Sequence, residues 1–574
     1  MKRIEIILTI SKNQKAMKKM LLTIVAVLFG MALNAQVSVW DGTAEPWTHG
    51  SGTPEDPYLI ESAQNMAYIA QIVNEPTSYG AFDVFVDTYF KLTTDLDLGG
   101  DKGLLWEPIG KYTVFGPPTT LFAGHFNGGG HTIYNMRIEV PEEDSKSSNK
   151  KLSFGLFGMA RYGSIKNITL ASDCNVDINN YTLYGDTNYA CVGGILGYGD
   201  KVSLEDCENR ASIRFDGSAF HRIACGGLFG SVSGSVINNC HNMGNVYSRE
   251  ADNYGGHTPA GIVAHASDCT IFGCTNSGNI TCVKYDYGSH TRGVASGGIV
   301  GKAEMTCTVE QCCNTGTLLT NEVDATTIFI SSGGIVGCSY TGAQTLNLLI
   351  KNCYSISDIS AITAMPEYKG NFAGGILGGT YGYQEHEGYD TNVTIENCYV
   401  VGTITADTIG GIVAKYGIMG CPLMSRQLTI SNSYYINTVE SMNDYGMAVS
   451  DDYMKSEEFV AALNADGAVF KMDEDNVNNG YPVFINRIPQ AIDENIADRV
   501  ISVYPNPASS IVSVSFDDNA NCHSVEIFSL DGRLVKSQNA NFDAIDISSL
   551  APSLYIIKVR TEDGRECIER IVKE

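Results

Sequence analysis

The chain has 574 residues, a net charge of −26, 44% hydrophobic residues and 60 glycines. Length and apolar content exclude a disordered chain and allow several domains. The acidic surplus excludes the basic face that nucleic-acid binding needs and fits an exposed, soluble surface.

Met17–Ala35 reads as a secretory signal peptide: Lys18 and Lys19, an apolar core from Met20 to Leu33, then small Ala35. Residues 1–16 read as an upstream extension. The apolar run is short for a bilayer span. Residues 36–150 read as an N-terminal cap with the first coils. Met66, Ile69, Ala70 and Val73 share one face of a predicted helix, and short alternating strands with Gly-rich turns follow it.

Residues 151–440 repeat. The head Gly-Gly-apolar-apolar-Gly stands at Gly193–Gly197, Gly226–Gly230, Gly297–Gly301, Gly333–Gly337 and Gly374–Gly378, with looser copies at Phe154–Gly158, Ala260–Ala264 and Gly410–Ala414. Successive heads are 33 to 41 residues apart. A fixed period in this range marks stacked coils, and three strand-sized pieces per repeat (the head itself, the apolar run ending at the cysteine position, and the valine or isoleucine segment after the next glycine) predict an all-β, parallel β-solenoid. Each repeat has Ile168, Cys207, Cys240, Cys274, Cys312, Cys353 or Cys398 at one phase, preceded by a small or polar residue such as Asn239 or Asn352. Neighbouring parallel strands lie about 4.8 Å apart, against about 3.8 Å between disulfide Cβ atoms. The stacked cysteines are therefore expected to be inert thiols, with any disulfides among off-phase Cys269, Cys282 and Cys307. Zinc-type pairs of Cys-x2-Cys units do not occur.

Residues 441–486 read as a C-terminal cap. It carries a helix at Met454–Asn464, capped by Ser456, with Phe459, Val460 and Leu463 inward. Residues 487–500 read as a linker, and residues 501–574 as a small β-sandwich of alternating strands broken by Pro-Asn-Pro and Asp-Gly turns.

Two resemblances rest on these residues. Ile350–Ile359 (IKNCYSISDI) and Ile395–Ile404 (IENCYVVGTI), with the heads, resemble the GLUG-motif repeat family, which occurs in bacterial surface and exported proteins, some adhesin-like. The tail resembles a type IX secretion system type A C-terminal sorting domain: Val503–Ser510 (VYPNPASS), with Tyr504, Pro505, Asn506 and Pro507; Leu530–Val535 (LDGRLV), with Gly532 and Arg533; and Asp546–Val559, with Leu550 and Tyr555. Ser553 departs from the glycine usual before the apolar-Tyr pair. This resemblance implies a Gram-negative cell, the type IX machinery as a partner, and release outside the cell or attachment to outer-membrane lipopolysaccharide.

For chemistry, Asp95 and Asp97 form one Asp-x-Asp pair, expected to point outward. His257, His265 and His290 are expected at turns or on the surface, with no nucleophile motif beside them. Nothing calls for a cofactor or metal, and catalysis is not expected. The segments between the last strand of one coil and the next head carry aromatics: Tyr181, Tyr184, Tyr189, Phe220, Tyr247, Tyr254, Tyr285, Tyr287, Tyr368 and Phe372. Their common phase should place them along one edge, as contacts for a glycan or a host or matrix protein; alternatively they pack over the coil edge. A further loop, Gly379–Asp390, leaves elsewhere on the coil. The expected function is a secreted, surface-displayed adhesive or structural protein. The alternative is a polysaccharide-degrading enzyme on the same scaffold, which would need a carboxylate cluster in a groove.

Overall fold

The structure, a computed structural model, describes residues 39–75, 81–111, 119–140, 153–183, 189–219, 222–250, 256–284, 293–322, 329–341, 345–363, 370–382, 390–415, 426–465 and 467–485. In the tail it describes most of 501–573. The expected signal segment and the 487–500 linker lie outside the described residues. The chain divides into two compact units, Met1–Asn486 and Arg487–Glu574.

The first unit is a parallel β-solenoid of about 7 turns, in a chain that is 56% strand and 7% helix. Each coil has four strands where three were expected. In the coil that carries Gly297–Gly301 they are Val294–Gly297 (sheet 1), Val300–Glu304 (sheet 2), Thr306–Glu310 with Cys313–Asn314 (sheet 3) and Leu318–Glu322 (sheet 4). Each stacks in register on the next coil, Val300 on Val336 and Leu318 on Ile359.

The extra strand comes from the head, which is a corner and not a strand. Gly297-Gly298-Ile299 turns the chain from sheet 1 into sheet 2. A Cβ on Gly298 would sit 2.1 Å from the carbonyl oxygen of Gly334 in the next coil and 2.5 Å from Cγ of Asn314. The last glycine of the head has another task. A Cβ on Gly301 would lie 2.6 Å from the Ala264 oxygen and 3.0 Å from the Pro259 oxygen, because sheets 1 and 2 fold closely together there. Small residues on sheet 1, such as Thr258, Ala295 and Ser331, fill this acute corner and are buried.

Sheet 3 holds the cysteine phase. Strand alternation would place only every second residue inward, yet Leu204 and Cys207, three apart, are both buried. The residue before the cysteine absorbs the extra step. Asn167, Asp206, Asn239, Gly273, Gln311, Asn352, Asn397 and Asn432 all adopt left-handed backbone, with φ between 46 and 67°. Gly, Asn and Asp bear that conformation at least cost. Outside the corner their side chains stitch coil to coil: Asn432 Nδ2 donates to Asn397 Oδ1 at 2.7 Å, and Asn397 Nδ2 to Asn352 Oδ1 at 3.2 Å.

Inside, the thiols stack as expected. The Cys274 N–H points at Cys312 Sγ (3.4 Å) and the Cys312 N–H at Cys353 Sγ (3.5 Å). The described cysteines of this unit, Cys269, Cys282 and Cys307 among them, are buried thiols outside any disulfide. Burial pushes the Cys225 and Cys307 thiols up to about 12 and Cys269 to about 11, which keeps them protonated and unreactive.

Two residues beyond the thiols runs a buried polar ladder that the sequence reading missed. Asn209 Nδ2 donates to Asn242 Oδ1 (2.9 Å), Asn242 to Asn276 (2.7 Å) and Asn276 to Asn314 (2.7 Å). Each Nδ2 also donates to the backbone oxygen two residues on, as Asn276 does to Gly278 at 2.9 Å. Replacing Asn276 by Ala orphans the Asn314 Oδ1 and Gly278 acceptors, at about 1–3 kcal/mol for each buried group. Cys240→Val, a swap of similar volume at a packed thiol, should cost under about 1.5 kcal/mol. Urea unfolding of both variants, with and without reductant, checks the pair: Asn276→Ala well below Cys240→Val, neither sensitive to reductant.

Both ends of the stack are closed, as open sheet edges require. At the start, helix α1 (Ala63–Asn74) is capped by Ser62 and buries Met66, Ile69, Ala70 and Val73, the face read from the sequence. Trp47 packs there against Tyr58, Tyr68, Phe85 and Phe90. At the far end are two short helices, α2 (Asp451–Met454) and α3 (Glu457–Leu463). Ser456 accepts from the Phe459 N–H at 3.2 Å, the cap expected for α3. Phe459 and Leu463 are buried, while Val460 is half-buried. Tyr399 stacks on Tyr354 (4.9 Å between ring centres) and meets Phe459 edge-on, so the tyrosines after the thiols widen the core where the cap seals it.

The second unit has a four-stranded antiparallel sheet (Cys522–Ser529, Leu534–Gln538, Ser553–Thr561, Glu566–Lys573) and a three-stranded one (Ile501–Tyr504, Ile511–Phe516, Ile545–Asp546). Val512, Val514, Val525, Ile527, Ile557 and Val559 from both share one buried cluster.

Candidate functional site

The strands that flank the aromatic segments stack in register from coil to coil: Asn175–Leu183, Ser212–Ala219, Val246–Glu250, Ile280–Lys284, Leu318–Glu322 and Ile359–Thr363 in sheet 4, and their successors in sheet 1. The described strand ends on either side of the segments therefore line up at one corner of the coil. Tyr184, Phe220, Tyr254, Tyr285, Tyr287 and Tyr368 lie outside the described residues, as does most of the Gly379–Asp390 loop. Tyr181 and Tyr189 have described backbone on strands Asn175–Leu183 and Tyr189–Val192.

Four of the aromatics are thus on strands and not on loops, and the side chains of two of them, Tyr247 and Phe372, are described. Tyr247 lies on strand Val246–Glu250, half-buried on the outer face of sheet 4, with the Arg214 guanidinium 4.6 Å from its ring centre. Phe372 lies on strand Gly370–Gly374, only 6% exposed and packed against Ala414. The flanking strands reach one or two residues further than turn signals alone mark, which draws both rings into the ladder.

Around Tyr247 the outer face of sheet 4 is a lattice of charge. Arg214 meets Asp216 (3.0 Å), Asp177 (3.6 Å) and Asn179 (3.0 Å), and Arg249 reaches Asp216 at 3.4 Å. Burial is the leading influence on Asp177 and raises its pKa, with Arg214 opposing. Two and three coils on, the same face turns apolar: Leu319 is 41% and Ile362 45% exposed.

The outer face of sheet 2 carries a second cluster, assembled by register from residues far apart in sequence. Ser231 Oγ lies 3.1 Å from His265 Nδ1, and His265 Nε2 lies 3.1 Å from Glu304 Oε2. Lys302 pairs with Glu304 and lies 3.5 Å from the Tyr340 ring centre. His265 is thus a partly buried member of an ion-pair network, not a turn residue. A hydroxyl, an imidazole and a carboxylate in this order are the parts of an activated nucleophile. Here Ser231 is mid-strand between Tyr198 and His265, where the ladder engages backbone N–H groups that an oxyanion would need.

His257 departs furthest from expectation. It is fully buried on strand Gly256–Ala260, between Ser248 Oγ at Nε2 and Cys282 Sγ at Nδ1 (3.4 Å). Burial, reinforced by the Lys284 charge, lowers its pKa to about 3. His290 lies outside the described residues. Asp95 and Asp97 are coil stitches: Asp95 Oδ1 accepts from the Thr132 N–H and meets His131 Nδ1, both at 3.0 Å, while Asp97 accepts from Gly99 N and Asn135 Nδ2. Among the described residues no group of three or more His, Cys, Asp or Glu is placed to hold a metal ion. No described helix is long and apolar enough to cross a membrane.

In the tail, Tyr504 ends strand Ile501–Tyr504, while Pro505, Asn506, Pro507, Gly532 and Arg533 lie outside the described residues. Leu550 packs on the unit's core, and Tyr555, 6% exposed, is part of it.

Comparison with known proteins gives matches to parts of the chain. Parts of it are 30% identical to a Gly-rich membrane protein of Evansella cellulosilytica over 169 residues, 29% of this chain and 17% of that one. They are also 30% identical to halomucin of Haloquadratum walsbyi over 180 residues, 27% of this chain and 2% of that one. The chain thus spans a small part of either relative. No solved structure matches. Residues 502–574 match the secretion system C-terminal sorting domain. The chain therefore ends in a type IX sorting domain, which implies export to the cell surface or the extracellular space.

Proposed function

We propose that the mature protein is a binding rod on the surface of a Gram-negative cell, or released from it: a GLUG-type β-solenoid, delivered by an N-terminal signal peptide and the type IX machinery, that adheres to a glycan or matrix protein. Retention on lipopolysaccharide would make it an anchored adhesin. The observation that carries this reading is the outer face of sheet 4. It is repeated in register about every 4.8 Å, charged around Arg214 and Tyr247 and apolar at Leu319 and Ile362, and it ends at the corner where the strands that flank the aromatic segments line up. Mixed apolar and charged surface on a preformed frame suits recognition of extended ligands. The catalytic alternative draws on the Ser231–His265–Glu304 set, in which Lys302 neutralises the carboxylate.

A deletion strain and its complemented parent test the proposal on surfaces coated with glycans or matrix proteins. Several-fold weaker attachment of the deletion strain, restored by complementation but not by a Tyr247→Ala, Leu319→Asp, Ile362→Asp variant, is expected. Equal attachment of all strains would reject it.

A further inference from the structure

Beyond the lateral faces, the N-terminal cap holds a pocket of about 340 Å³ lined by Trp40 and Trp106. The chain has 3 tryptophans in all. One, Trp47, belongs to the cap's aromatic core, and the other two meet edge to face across 5.6 Å at this pocket. Buried Ala67 and Ala70 of helix α1 form its floor, and exposed Thr43 and Gln71, with half-buried Glu107 and Lys111, stand at its mouth.

The indoles are fixed before any ligand arrives. Trp40 Nε1–H donates to the Thr43 carbonyl at 2.7 Å, inside a turn in which Asp41 accepts from both the Thr43 N–H (2.9 Å) and hydroxyl (2.6 Å). Trp106 Nε1–H donates to the Leu156 carbonyl at 3.1 Å, and the ring is 4% exposed. Both indole N–H groups are therefore engaged, and what the rings offer the pocket is aromatic carbon. Asn74 is engaged too, bonded to the Pro108 oxygen and the Gly110 N–H.

A rigid aromatic wall, an alanine floor and a polar mouth carrying one charge of each sign fit one chemistry well. A pyranose ring has an apolar face of C–H groups and an equator of hydroxyls. The C–H face suits an indole, and the hydroxyls suit the exposed Gln71 amide, which donates and accepts, and the Thr43 hydroxyl oxygen, which can still accept. The volume is at the small end of ligand pockets, which begin near about 300 Å³, and suits one or two sugar rings. We propose that this pocket is a binding site for a neutral hexopyranose unit, the end of a glycan chain, with Trp40 as the stacking platform. The site is separate from sheet 4, and the test below uses purified protein, so it stands or falls independently of cell attachment.

The test uses the whole secreted protein and its tryptophan emission, since two of the three reporters line the pocket. The methyl glycosides of glucose, galactose, mannose and N-acetylglucosamine are titrated separately. At least one should give a saturable change with half-saturation of order 1 mM, typical of a weak single-site contact. Trp40→Ala should abolish it, and Gln71→Leu, an exposed change that leaves the cap's packing intact, should weaken it several-fold, with melting curves showing that each variant folds. If no glycoside gives a saturable change up to its solubility limit, the proposal is wrong. It is equally wrong if Trp40→Ala folds and responds like the parent.

Discussion

Deleting residues 501–574 should strand the protein in the periplasm and abolish surface display. Protease digestion of intact cells, followed by fractionation, reads this directly: the full-length chain is cut or released, and the truncated chain is protected. The expected change is all-or-none because the deletion removes the whole matched sorting domain, residues 502–574. The retained protein should still be folded. The tail is a separate compact unit with its own cluster around Val512, Ile527 and Ile557, and the solenoid has its own core cluster. Ile527→Asp, which puts a charge in that cluster, should reproduce the export defect in a chain of full length. Undiminished surface exposure of the truncated protein would remove the sorting assignment.

Acid should loosen the middle of the rod, and His257 should account for a large share. Neutral imidazole satisfies both neighbours, with one nitrogen donating and the other accepting between Ser248 and Cys282. Imidazolium would be a buried charge near Lys284, itself 1% exposed. The pKa in the folded chain, about 3, lies below the ordinary value near 6.5. The unfolded chain therefore binds the extra proton between these limits, and folding does not. Stability is complete above about pH 6.5 and falls as the pH drops towards 3, by about 1.4 kcal/mol per unit and of order 5 kcal/mol in total. Other carboxylates titrate in the same window, so the comparison is with His257→Leu. Between pH 7 and 4.5 the parent should lose about 3 kcal/mol more than the variant. Parallel loss in both would show that the imidazole is not held neutral.

The repeat period, the small or polar residue before each cysteine and the Ser456 cap were legible in the sequence because each depends on local residue chemistry. Asn, Asp or Gly before a buried thiol announces a turn whatever lies around it. The double-glycine head was misread as a strand because the reason for its glycines, contact with the next coil, lies more than 30 residues away in sequence. The Asn209–Asn314 ladder was legible in part: Asn242, Asn276 and Asn314 each stand two residues before a glycine, the carbonyl their amide group caps. His257 could not be placed from sequence, since the strand GHTPA has no alternation to tell inside from outside and is buried on both faces. Ser231, His265 and Glu304 come together only through register across three coils. Trp40 and Trp106 meet at the pocket because helix α1 folds over the first coils.

The most direct test of the binding-rod account exposes the purified secreted protein to immobilised glycans and matrix proteins while the supernatant is assayed for released saccharide. The account predicts saturable retention with no product. Product released in proportion to protein and time, and lost on Ser231→Ala or His265→Ala, would contradict it and make the sheet 2 cluster a catalytic centre.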